Sequence, residues 1–327
     1  MALDAATAHR DVHAHLRSEL LQGLLDAPRS INPKFFYDER GSELFRLICD
    51  VEEYYPTRTE VDILQHYSHE IAAAVGEHCQ LLEPGAGACE KVRHLLGDLR
   101  LDAYLPLDIS GDFLMSAAAR LRADFPQLVV HPLVADFNDD FALPPLGKAA
   151  HRVIFYPGST IGNFTPAAAT AFLRRAALLV GQGGGLLIGV DLHKSSQVLN
   201  AAYNDSKGYT AAFNLNVLSH ANALLDADFD LAAFRHIAFY NETERRIEMH
   251  LESLRDQRVI CPDAEFNFTA GERIHTEYSH KYTLESFAQM AEAAGFVGRA
   301  CWTDPAGLFS VHYLEVSATA ACARPEG

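Results

Sequence analysis

Leu81-Leu82-Glu83-Pro84-Gly85-Ala86-Gly87-Ala88 is the stretch on which the fold turns. An apolar run that ends in an acidic residue and then G-x-G reads as a strand leading into a loop. There the backbone must approach a ligand closely, and glycine permits that approach. A glycine-rich turn is common by itself, so the neighbouring segments decide what it means. KVRHLLGDL (91–99) reads as the helix after the turn. AYLPLDIS (103–110), LVVHPLVADF (128–137), HRVIFYPGSTIGNF (151–164) and GGGLLIGVDL (183–192) each carry a strand-like apolar run. FLMSAAARLRADF (113–125) and PAAATAFLRRAALLV (166–180) are the helices between them, the second with Pro166 at its first position. Strands interleaved with helices in this way predict an α/β fold with a parallel, doubly wound sheet and right-handed crossovers.

Working outward, residues 8–27 form an amphipathic helix with Leu16, Leu20, Leu21 and Leu24 at helical spacing, stopped by Pro28, Asn32 and Pro33. Ser42 and Glu43, followed by Leu44, Phe45, Leu47 and Ile48, predict another helix, and Thr57 with Glu60 reads as a capping box opening the next. The βα rhythm breaks over 195–285: residues 200–225 look helical, 238–260 alternate like strands, and 268–283 are extended. It resumes with the helix LESFAQMAEAAGF (284–296) and the strand pair in RACWTDPAGLFSVHYLEVSA (299–318). The expected organisation is a sheet domain of 62–194 plus 286–321, and a second lobe of 8–61 plus 195–285.

The formal net charge of −16 repels a phosphate backbone, which disfavours a nucleic-acid partner and leaves a small molecule as the expected one. Six cysteines, Cys49, Cys79, Cys89, Cys261, Cys301 and Cys322, form no C-x-x-C pair, so neither a disulfide framework nor a zinc ribbon is expected. His9 and His13 share a helical spacing but have no third ligand nearby, and no H-E-x-x-H occurs, so no metal is expected. The N-terminus lacks an apolar signal region and no run reaches the roughly eighteen apolar residues of a membrane span. A cytoplasmic monomer is the expectation.

The Glu83–Ala88 turn resembles motif I of Rossmann-like methyltransferases, with Ala88 in place of the last glycine. Asp108, at the end of the second strand, stands where a carboxylate accepts from both ribose hydroxyls, and Asp136-Phe137, after the third, stand where methyltransferases hold adenine. Each aspartate equally suits a helix N-cap or a solvated loop; their succession at strand ends favours the nucleotide reading. A dehydrogenase would need the third glycine of G-x-G-x-x-G, and Ala88-Cys89-Glu90 does not supply it.

Longer stretches narrow the resemblance. Phe36-Tyr37-Asp38-Glu39-Arg40-Gly41-Ser42, Glu53-Tyr54-Tyr55-Pro56-Thr57-Arg58, Gly158-Ser159-Thr160-Ile161-Gly162-Asn163 and Thr276-Glu277-Tyr278-Ser279 are similar to the histidine-specific methyltransferases of ergothioneine biosynthesis, which trimethylate the α-amino group of histidine to give hercynine. The likeness extends from about residue 30 to residue 316. It implies a Rossmann-like class I methyltransferase sheet with a second, substrate-binding lobe formed by the N-terminal segment and the insertion, and histidine between the two. S-adenosyl-L-methionine is the implied methyl donor. Matching the donor site onto this chain selects Gly85, Lys91, Asp108, Asp136 and Phe137. Matching the amino-acid site selects Tyr54, Asn163, Tyr203, Met249, Glu277 and Ser279. Tyr37 stands in a shared stretch and is the candidate catalytic residue, a route for the amine proton alongside water. Tyr278 and His280 do not decide the substrate.

The chemistry of that set is coherent. Asn163 and Tyr203 can donate to a carboxylate, Glu277 can accept from an imidazole N–H, and Ser279 can serve the other ring nitrogen. Tyr54 closes the ring's remaining edge, and Met249 packs on its face. Read without the resemblance, Tyr203 and Met249 would pass for core, Glu277 for a strand-edge charge and Asn163 for a turn residue. Two other functions compete. One is an N-methyltransferase of another small amine, such as a tryptophan or indole derivative; the other is a donor-binding sensor without activity, which need not bind histidine.

Overall fold

The computed structural model describes residues 2–137, 139 and 141–317, with side chains from residue 14 onward. The side chains of His9 and His13, and the whole of Cys322, lie outside the described residues.

From the N-terminus run α1 (Ala2–Leu25), α2 (Glu39–Cys49), α3 (Tyr55–His66), α4 (Ser68–Val75), β1 (Cys79–Pro84), β2 (Leu101–Asp108) and α5 (Gly111–Asp124). Then come β3 (Leu133–Val134), β4 (His151–Tyr156), α6 (Pro166–Val180), β5 (Gly185–Asp191), α7 (Ser196–Ala202) and α8 (Tyr209–Leu225). The remainder holds β6 (Phe234–Asn241), β7 (Arg246–Ser253), β8 (Gln257–Cys261), β9 (Ala264–Phe268), β10 (Arg273–His280), α9 (Leu284–Ala293), β11 (Phe296–Thr303) and β12 (Phe309–Val316). The chain falls into two compact units, one of residues up to Tyr55 with Lys194–Ser279, the other of Pro56–His193 with the residues from His280 on.

The larger unit is built on a seven-stranded sheet in the order β3-β2-β1-β4-β5-β12-β11. β1 pairs in parallel with β2 and β4, as do β2 with β3 and β4 with β5; β12 runs antiparallel to both β5 and β11. Both faces are buried, so the central strands read as nearly continuous apolar runs. Leu81, Val153, Phe155 and Leu187 face one core, shared with Ile63 and Leu64 of α3, Ile71 of α4 and Leu114 of α5. Leu82, Ile154, Ile188 and Val190 face the other, filled by Leu173 of α6 and Phe287 of α9. The strand order reverses between β1 and β4, and such a reversal opens a crevice beyond the carboxyl ends of the strands.

Three local expectations change. Residues 91–99 do not form an α-helix; only Lys91–His94 make a short 3-10 turn. The segment is too short, and Gly97 too permissive, to propagate a regular helix before β2 begins. The third strand shrinks to Leu133–Val134, because Pro132 has no N–H to give the ladder. Thr57 and Glu60 do not cap a helix, since α3 has already begun at Tyr55.

The smaller unit carries a three-stranded sheet in the order β10-β7-β6 and a separate β8–β9 hairpin. On β7, Ile247, Met249 and Leu251 are buried. Two glutamates in alternation with them pair with arginines: Glu248 with Arg246, and Glu252 with Arg235 and Arg273. α8 is stitched to the sheet through buried Asn214, which donates to the His250 carbonyl at 3.0 Å and accepts from Thr276 Oγ1 at 2.8 Å. Along β10 the rings of His275 and Tyr278 lie 3.8 Å apart, and the adjacent Thr276 and Glu277 are both buried.

Among the described residues, no helix is long and apolar enough to cross a membrane, and no group of three or more His, Cys, Asp or Glu could hold a metal ion. Among the described residues, Cys79, Cys89, Cys261 and Cys301 are free thiols.

Candidate active site

In the larger unit the candidate donor residues gather where β1 and β2 end. Gly85 (φ 67°) and Gly87 (φ 50°) take left-handed backbone conformations that glycine adopts without strain. Asp108 closes the loop: its Oδ2 accepts the Gly87 N–H at 3.0 Å and its Oδ1 the Ser110 N–H at 2.9 Å. Each oxygen keeps a lone pair for a hydroxyl donor. Glu83, buried beneath the loop, accepts the Tyr104 hydroxyl at 2.5 Å, and burial pushes its carboxyl up to about 8.

Lys91 follows the loop and is a quarter exposed; its Nζ donates to Glu60 Oε2 at 2.6 Å. Glu60 is 1% exposed, and its two oxygens also accept the Gly158 N–H at 2.8 and 2.9 Å. Gly189 of β5 passes beneath the same carboxylate: a Cβ there would lie 1.9 Å from Glu60 Oε1. Asp136 is half-buried after β3. The ring of Phe137 is buried 5.1 Å from that of Phe172, and its carbonyl accepts Arg175 Nε at 2.8 Å. Asn163, also half-buried, ends the 3-10 turn Thr160–Asn163 after β4. That turn is anchored by Ser159, whose Oγ accepts the Asp191 N–H at 2.8 Å.

The other candidates belong to the smaller unit. Tyr203, at the end of α7, is buried and donates its hydroxyl to Ser279 Oγ at 2.9 Å. Glu277 and Ser279, both buried, come from β10, and Met249, 1% exposed, from the central strand β7. The ring of Tyr54 meets Tyr203 edge-on at 6.3 Å and Phe45 at 6.2 Å. Burial, with Tyr203, Cys49, Tyr37 and Glu277 adding to it, holds the Tyr54 hydroxyl protonated well above the usual tyrosine range.

Tyr37 is 44% exposed and packs edge-on against Phe45 and Phe213. The rest of its sequence stretch is architectural. Asp38 Oδ1 caps α2 through the Gly41 N–H at 2.6 Å and accepts the Asn216 amide at 2.8 Å, while Phe36 stacks on Phe213.

The structure thus collects Gly85, Lys91, Asp108, Asp136, Phe137 and Asn163 in one unit, and Tyr37, Tyr54, Tyr203, Met249, Glu277 and Ser279 in the other. Sequence reasoning misses the place of Glu60. Its signal is a carboxylate in line with Ile63 and Leu64 on the buried stripe of an amphipathic helix.

The loop, carboxylate and ammonium fit what S-adenosylmethionine presents: a ribose diol for Asp108, backbone-close passage at Gly85, and a carboxylate for Lys91. Comparison with known proteins agrees. Residues 16–316 match the family described as histidine-specific, SAM-dependent methyltransferases. The chain is 43% identical to a histidine N-alpha-methyltransferase of Mycolicibacterium smegmatis, over 90% of this chain and 93% of that protein. It is 39% identical to the protein of that name from Mycobacterium tuberculosis, over 91% and 94%. An L-tryptophan methyltransferase of Psilocybe serbica is 28% identical over 89% of this chain and 90% of its own length. The chain belongs to the histidine-specific, S-adenosylmethionine-dependent methyltransferases.

Proposed function

We propose that this protein transfers methyl groups from S-adenosylmethionine to the α-amino nitrogen of L-histidine until the trimethylated betaine, hercynine, is formed, as a step of ergothioneine biosynthesis. The observation that carries the choice of substrate is the buried polar set Tyr203, Ser279 and Glu277 in the smaller unit, whose sheet also buries Met249. A buried polar set of this kind is stabilised by a ligand that hydrogen-bonds to it, and an imidazole ring offers one N–H and one ring nitrogen. The names and near-full-length similarity of the two mycobacterial relatives support the same reading.

Bound S-adenosylmethionine supplies a methyl group already attached to a good leaving group. The protein's own tasks are then orientation, exclusion of water and disposal of a proton. Gly85, Lys91, Asp108, Asp136 and Phe137 hold the donor. Glu277 and Ser279 fix the ring of the substrate, Tyr54 and Met249 line it, and the Tyr203 hydroxyl serves its carboxylate. An amine with a pKa of roughly 8 is mostly protonated at neutral pH, so a proton must leave before each transfer. Tyr37, with its exposed ring, offers a route to solvent for that proton. The smaller unit is, on this reading, the amino-acid lobe.

Purified protein incubated with histidine and S-adenosylmethionine should yield hercynine by mass spectrometry, with the mono- and dimethyl forms consumed as substrates. Tryptophan should give little or no product in the same assay. Absence of any histidine-derived product would reject the assignment, and a methylated tryptophan in its place would transfer it to the indole substrates.

A further inference from the structure

We propose that Glu60 is a positioning residue of the methyl-donor site: it holds the Lys91 ammonium, and with it the Gly158 turn, in the arrangement that receives the carboxylate of the donor's amino-acid moiety. The inference rests on the reading of Lys91 as a donor contact and deepens it.

A carboxylate that is 1% exposed must be paired, and Glu60 is paired twice over. It takes the Lys91 ammonium at 2.6 Å and the Gly158 N–H at 2.8 and 2.9 Å. These partners come from separate places, one after the β1 loop and the other after β4, and the floor beneath is β5 at Gly189, where a Cβ would lie 1.9 Å from the carboxylate. The bare strand at Gly189 makes room for Glu60, and Glu60 in turn spans the crevice end of three strands. Lys91 keeps further N–H donors beyond the one given to Glu60, and at a quarter exposed it can offer them to a ligand. A lysine on a flexible stem is a poor anchor unless something fixes it, and Glu60 fixes it. Because the carboxylate is itself shielded from solvent, it acts through Lys91 and Gly158 and does not touch the ligand.

The test compares two ligands that share the adenosine portion. S-adenosylhomocysteine carries the amino-acid carboxylate; 5′-methylthioadenosine lacks it. Calorimetric affinities are measured on the full chain for wild type, Glu60→Gln, Lys91→Met and the double variant. Glu60→Gln should weaken S-adenosylhomocysteine by about tenfold and leave 5′-methylthioadenosine within about twofold. In the Lys91→Met background the same change should cost nothing further, since a residue that acts through another has no effect once that other is gone.

Equal losses for both ligands would show a merely structural role and overturn the inference, as would an unchanged affinity for S-adenosylhomocysteine in Glu60→Gln. If Lys91→Met also left S-adenosylhomocysteine unchanged, the placing of the donor carboxylate at Lys91 would fall as well, which separates the two failures. Should Glu60→Gln fail to fold, Glu60→Asp, which keeps the charge on a shorter stem, is measured in the same way and must show the same selective loss.

Discussion

Glu277 and Ser279 sit two positions apart on β10, and the hydroxyl of Tyr203 already reaches Ser279. On the function proposed above, a substrate ring held there would meet a hydroxyl pair already oriented by its own hydrogen bond, which lowers the ordering cost of binding. Removing the carboxylate should therefore be felt by one ligand only. Glu277→Ala is expected to weaken histidine binding by about a hundredfold while S-adenosylhomocysteine binding stays within about twofold, read by calorimetry for each ligand. Parallel losses would mean that Glu277 supports the fold and not the substrate. Met249 is legible only in part. Its burial follows from the apolar spacing Ile247, Met249 and Leu251 on β7, so the sequence alone places it in a core, and its proposed contact with a substrate ring comes from the family resemblance. Glu60 is harder still. The T-x-x-E spacing satisfies a local capping signature, whereas its partners Lys91 and Gly158 are 31 and 98 residues away along the chain.

At the scale of elements, the capping aspartate of α2 offers a clean measurement. Asp38→Ala removes the side-chain acceptor for the Gly41 N–H and for the Asn216 amide, and should destabilise the protein by about 1 to 2 kcal/mol in a denaturant titration. A change below about 0.3 kcal/mol would deny the cap any weight. The strands β1, β4 and β5 are legible because burial on both faces leaves a nearly continuous apolar run. The sequence overstates β3, since the run LVVHPLVADF looks continuous until Pro132 is charged with its missing N–H. The burial of both Thr276 and Glu277 on β10 is not legible either, since two adjacent polar residues in a strand read as one inward and one outward.

For the whole molecule, buried titratable groups set the response to pH. Burial lowers His312 in the larger unit and His275 in the smaller one to about 4, His275 with His250 adding to the effect. Each therefore contributes stability that is present above pH 6.5, the ordinary histidine value, and is lost as the pH falls towards 4, where the unfolded chain binds protons that the native state refuses. Glu83 acts in the other sense: raised to about 8, its contribution is full below 4.5 and fades as the pH rises through 8. Wild type should lose about 2 kcal/mol more than His312→Gln between about pH 7 and pH 5, followed by urea midpoints at each pH; identical slopes would contradict a neutral buried His312. The strand order also bears on biosynthesis. β12 is an interior strand that lies between β5 and β11, yet it follows both in the chain. While the ribosome is still making the residues beyond α9, β5 is an unprotected edge with its backbone donors and acceptors open to pairing with other chains. Emergence of β12, and not the earlier appearance of the nucleotide loop, is what seals the sheet.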